Sequence, residues 1–128
     1  MANIVGIQDL VDGPRNLHVK IDIEGDGSGD DTVPVAEAAL KNCGEFRLDR
    51  IWGRLEGFSA HLDWAGDTTV PFLQIPDDDE IRMDWFRQGG ITNPKVAGYT
   101  GDVNLVTVGL GAGEVGTITL EFVKKRIP

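Results

Sequence analysis

The sequence predicts an all-β fold: a single-domain antiparallel β-sandwich over residues 1–128, jelly-roll-like, with little helix. Three observations carry that expectation. Seventeen glycines and six prolines punctuate 128 residues, a rhythm that suits short strands and turns. Several segments alternate apolar and polar residues with period two, as half-buried strands do. The one helix-favouring stretch, residues 35–42, is long enough for only a turn or two. Helix content is therefore expected below about 15%.

The elements are read in chain order. Residues 1–15 form a possible N-terminal arm whose apolar members, Ile4, Val5, Ile7, Leu10 and Val11, are too few and too isolated to build a core of their own. Residues 17–24 alternate as a strand, and the glycine-rich acidic segment 25–31 is expected to turn the chain back into residues 32–35. Residues 47–56 and 58–64 read as a strand pair broken at Gly57, with Phe58, Ala60, Leu62 and Trp64 inward. Two further strands, 69–75 and 81–86, flank the acidic connection 76–80. The last quarter reads as a terminal hairpin, with Val103, Leu105 and Thr107 on one face of its first strand and Ile118, Leu120 and Phe122 on one face of its second. The count is about seven or eight strands, which suits a sandwich.

Within that hairpin, Gly111, Gly113 and Gly116 form a literal G-x-G-x-x-G. A dinucleotide fingerprint works by opening a helix whose N-terminal amides face the pyrophosphate. Here a strand pattern follows Gly116, so no cofactor is expected.

Composition narrows the function classes. A formal charge of −9 argues against direct nucleic-acid binding, which needs a clustered Lys/Arg surface, and likewise against anionic membranes. No apolar run approaches the roughly 20 residues of a membrane-spanning helix. Cys43 is the sole cysteine, which rules out an intrachain disulfide, and the first residues lack a signal-peptide pattern; synthesis in a reducing cytoplasm is expected.

Candidate chemistry is sparse. Asp22, Glu24, Asp26 and Asp30 around Gly27 alternate as calcium ligands do, yet the twelfth position is Val33 where a bidentate Glu belongs, and strands flank the segment. A solvated turn is the expected reading, and the run 76–80 is read likewise as a charged connection. His18 and His61 lie 43 positions apart, too few for a cupin-like histidine cluster, and a zinc site would have to recruit Asp63. Ser28 and Cys43 lack a neighbouring base. The expectation is no enzyme, no metal and no cofactor. Trp52, Trp64 and Trp85 are read as core or contact residues.

The segments 12–15, 50–52, 57–64, 89–94 and 98–102, followed by the terminal hairpin and Lys124, Lys125 and Arg126, together resemble small tailed-bacteriophage capsid decoration (cement) proteins. The resemblance covers most of the chain and implies a non-enzymatic virion protein. Its partner would be the major capsid protein, bound on the capsid exterior after assembly in the host cytoplasm, and it would stabilise the shell as a homodimer or homotrimer. A tail or head-completion protein is the alternative, followed by a cupin-like small-ligand-binding barrel. The expected contact residues are Ile4, Val5, Ile7 and Leu10 of the arm, with Trp85, Phe86, Arg87 and Tyr99 around a glycine-rich loop, where aromatic and Arg side chains are the residue types that anchor interfaces. Trp85 and Phe86 could equally be ordinary strand residues.

Overall fold

Two antiparallel sheets face each other across one apolar core. The computed structural model describes residues 3–38, 41, 43–78, 80–94, 98 and 100–125. Among them are ten strands and no α-helix: β1 (Ile4–Asp12), β2 (Asn16–Glu24), β3 (Thr32–Ala36), β4 (Glu45–Glu56), β5 (Ser59–Trp64), β6 (Val70–Ile75), β7 (Glu80–Asp84), β8 (Ile91–Thr92), β9 (Val103–Val108) and β10 (Val115–Lys125). The larger sheet runs β1-β2-β10-β4-β7, with β8 also paired to β4; the smaller runs β3-β9-β5-β6.

Period-two alternation builds the core as the sequence predicts. Leu17, Val19, Ile21 and Ile23 of β2, Ile118, Leu120 and Phe122 of β10, and Ile51 and Leu55 of β4 point inward from the larger sheet. Phe58 lies just before β5, and with Ala60, Leu62 and Trp64 of β5 and Val103 and Leu105 of β9 it answers from the smaller one. Trp64 stacks on Phe72 with ring centroids 4.1 Å apart, and Phe46 meets Phe122 at 5.4 Å. Each fully buried aliphatic or aromatic side chain contributes about 1.5–3 kcal/mol relative to exposure.

The connections differ from the sequence reading. The terminal segment is not a hairpin: β9 lies in the smaller sheet between β3 and β5, and β10 lies at the centre of the larger one. The expected turn from β2 into β3 and the expected pair β4 and β5 likewise cross from one sheet to the other. Among the described residues the hairpins are β1 with β2 and β5 with β6. The physical reason is that each misread pair is apolar on one face, and placing its two strands in facing sheets buries both faces against each other. The expected arm is also corrected. Residues 4–12 form the edge strand β1, paired with β2 from Ile4 opposite Glu24 to Asp12 opposite Leu17, with an irregularity between Asp9 and Val11. The expected strand 81–86 stops at Asp84, and Phe86–Gln88 form a 3-10 turn. Residues 35 and 36 of the helix-favouring stretch extend β3, and Lys41 N–H donates to Glu37 O at 3.2 Å, while residues 39, 40 and 42 of that stretch lie outside the described residues.

Candidate functional site

The acidic segments that resemble cation loops are ties between neighbouring inter-sheet crossings. Asp30 Oδ1 accepts Leu110 N–H at 2.8 Å and the Thr107 hydroxyl at 3.3 Å, joining the β2–β3 crossing to the β9–β10 crossing. Gly25 N–H donates to Glu114 O at 2.8 Å and Gly113 N–H to Gly25 O at 2.9 Å, closing the same junction. The backbone amides of Leu110 and Gly109 hold the Asp30 carboxyl below the usual carboxylate range. At the other junction Gly57 N–H donates to both Asp77 Oδ1 and Asp78 Oδ1 at 3.0 Å. Asp26 Oδ1 accepts Ser28 N–H at 2.9 Å, and Asn3 Oδ1 accepts Asp26 N–H at 2.9 Å, pinning the acidic turn to the residue just before β1. Among the described residues no group of three or more His, Cys, Asp or Glu side chains is placed to hold a metal ion.

The remaining reactive side chains have local partners. His18 sits on β2 between buried neighbours, so it faces outward, with Nε2 3.2 Å from Glu121. His61 faces outward from β5 and pairs through Nδ1 with Asp63. The two histidines therefore lie on opposite outer faces of the sandwich and cannot share one ion with Asp63. Burial pushes the Cys43 thiol above its ordinary value, which keeps it protonated at neutral pH. Gly111, Gly113 and Gly116 occupy the β9–β10 crossing and the start of β10, and Gly111 N–H donates to the Glu114 carboxylate.

The expected contact residues fall into two groups at opposite edges of the larger sheet. Ile4, Ile7 and Leu10 lie on β1 with exposures of 64%, 40% and 49%, while Val5 is half-buried against the core. Val11 joins them, also exposed. Trp85, Phe86 and Arg87 follow β7 at the far edge. Four inter-strand spacings separate the two edges, about 19 Å. Tyr99 lies outside the described residues.

The far edge is a built structure. Trp85 packs partly against the core and its N–H donates to Asp49 O at 2.7 Å; Gln88 and Gly90 N–H groups return to Trp85 O at 3.0 and 2.9 Å. Asp84 Oδ1 accepts Phe86 N–H at 2.9 Å, and Asp84 Oδ2 accepts Arg50 Nε–H at 2.9 Å. That arginine, followed by the Phe86 amide, holds the Asp84 carboxyl below its ordinary value. The Arg50 guanidinium lies 5.1 Å from the Phe86 ring centroid, so the phenyl ring, 53% exposed, is held in place by a cation–π contact. Beneath the turn, Arg47 grips the buried Asp49 through two bonds of 2.7 and 3.1 Å.

Between the edges a polar ladder crosses the outer face: His18, Glu121, Arg50 and Asp84, on β2, β10, β4 and β7 in turn, each contact within 3.6 Å. Beside it a depression of about 480 Å³ is lined by Trp52, Glu80, Arg82 and Met83 among others. Trp52, which the sequence reading leaves as either a core or a contact residue, is exposed here, as is Met83, which that reading does not single out. The outward position of Trp52 was legible, since Ile51, Gly53 and Leu55 take the inner face. Comparison with protein-family models, with curated proteins and with solved structures returns no match.

Proposed function

We propose that this chain is a non-enzymatic virion structural protein that binds the outer surface of a tailed-phage capsid and stabilises the shell. The observation that carries the proposal is the presence of exposed apolar side chains at both edges of one rigid sheet, Ile4, Ile7, Leu10 and Val11 on β1 and Met83 and Phe86 at the far edge. A protein that cements a lattice must grip two neighbours at once, and two patches about 19 Å apart on one sheet allow that bivalency. The strand orders β2-β10-β4-β7 and β3-β9-β5-β6 support the jelly-roll reading, an architecture shared by viral capsid domains and also by lectins and cupins. That support is an analogy of fold, so the argument for function stays with the edges. The net charge of −9 suits a surface turned away from packaged DNA.

The test is to mix the protein with undecorated capsids of the phage that carries this gene. Co-sedimentation is expected to saturate at a lattice ratio and to raise the melting temperature of the shell. Replacing Phe86 and Arg87 together by alanine is expected to weaken that binding by at least about 2 kcal/mol while the melting point of the free protein stays nearly unchanged. Failure of the unmodified protein to sediment with such capsids overturns the proposal.

A further inference from the structure

The two sheets have four edges, and three of them are protected against pairing with another chain. Edge strand β3 is five residues long, carries Pro34 and is irregular after it; edge strand β6 carries Pro71. Edge strand β7 is five residues long, and Glu80, Arg82 and Asp84 are three of them. Prolines, shortness and charges are the usual devices that keep edges apart. Strand β1 has little of this. It runs nine residues, Ile4–Asp12, with no proline and no lysine or arginine, and Ile4, Ile7, Leu10 and Val11 are exposed.

Its two acids are also neutralised from within the chain. Lys41 Nζ bonds Asp9 and lies 3.4 Å from Asp12, and Lys124 Nζ bonds Asp12. On a chain of net charge −9, like-charge repulsion would otherwise oppose the meeting of two identical edges. Here that repulsion is cancelled where the edges would touch.

We infer that β1 pairs antiparallel with β1 of a second copy across a two-fold axis, joining the two larger sheets into one. The register that suits the residues places Ile7 on the axis. Ile4 of one copy then lies opposite Leu10 of the other, Gly6 opposite Gln8 and Val5 opposite Asp9, with no like charges facing. Sliding the axis to Asp9 would set Asp9 against Asp9, which is unfavourable. The irregularity at Leu10 ends the flat stretch, which confines the pairing to about seven residues. A two-fold contact of this kind is closed, so assembly stops at the dimer. In that dimer the β1 edges cover each other, so the patches left to grip a lattice are the far edges of the two copies; the test of the pairing itself uses the purified chain alone.

Sedimentation equilibrium at micromolar concentration is expected to give twice the chain mass of 13.9 kDa. Changing Ile4→Lys with Leu10→Lys places like charges opposite each other twice and is expected to raise the dimer dissociation constant at least about tenfold. Changing Ile4→Lys with Leu10→Glu places opposite charges at the same positions and is expected to restore association. Both positions are exposed, so at concentrations below the dimer dissociation constant both variants should melt as the parent does. Amide exchange along β1 should also slow as concentration rises. A monomeric or trimeric mass for the unmodified chain overturns the inference, as does equal association of the two variants.

Discussion

Replacing Gly53 by alanine tests how closely the two central strands of the larger sheet approach. Gly53 lies in β4 opposite Ile118 of β10 and Ile81 of β7, with φ of +150°. A methyl group there would sit 2.2 Å from Thr117 O and 2.8 Å from Ile118 Cα. Both atoms are backbone in a strand paired on both sides, so they cannot swing away as a side-chain end could. Holding a non-glycine residue at such a φ costs about 1–3 kcal/mol, and forcing strands apart to fit a methyl costs about 1–3 more. The expected loss is therefore about 2–6 kcal/mol, a large share of the 5–15 kcal/mol typical of a domain. Gly6→Ala is the control. It lies in β1 with nothing within 4 Å of the added methyl, so it should be neutral or slightly stabilising through the unfolded chain. Urea unfolding at 25 °C measures both. A Gly53→Ala variant within about 0.5 kcal/mol of the parent would refute the close approach of β4 and β10.

Trp64→Ala removes the ring stacked on Phe72 and should cost about 3–5 kcal/mol, read as a shifted urea midpoint. Asp30→Ala breaks the tie to Leu110 and Thr107 and should cost about 1–2 kcal/mol in the same assay, whereas the removal of a merely solvated turn carboxylate would cost nothing measurable. Asp12, Asp26, Asp30 and Asp84 are all held below the ordinary carboxylate value of 3.8 in the fold, chiefly by Lys124, Ser28, the Leu110 amide and Arg50 respectively. The stability they contribute is present above that value and is lost as pH falls through their folded values, so the urea midpoint should drop on acidification below about pH 4. Asp77, raised by desolvation and then by Asp78, works in the opposite direction and should blunt the drop slightly. Finally, the protonated, half-buried Cys43 should react with iodoacetamide much more slowly in the native protein than in urea; equal rates would place the thiol in solvent.

What the sequence by itself determined is local. Alternation in β2, β5, β9 and β10 assigned inward faces correctly, because side chains on a strand point to opposite sides whichever strands lie beside it. The lone cysteine excludes an intrachain disulfide for a related reason, since that conclusion needs no partner to be read. The pairing of strands was decided only by the tertiary structure. Glycine-rich segments after Glu24, Glu56 and Val108 permit a hairpin or a crossing to the other sheet with the same residues, and the choice depends on which distant apolar face is available to cover the next strand. β1 escaped notice because Ile4, Val5, Ile7, Leu10 and Val11 do not alternate, and its place in the sheet comes from backbone bonds to β2 that any side chains permit. The carboxylates of Asp30, Asp77 and Asp78 read as solvated turns and connections for the same reason. Their amide partners at Leu110 and Gly57 lie 80, 20 and 21 residues away, and only the folded chain brings those amides within reach.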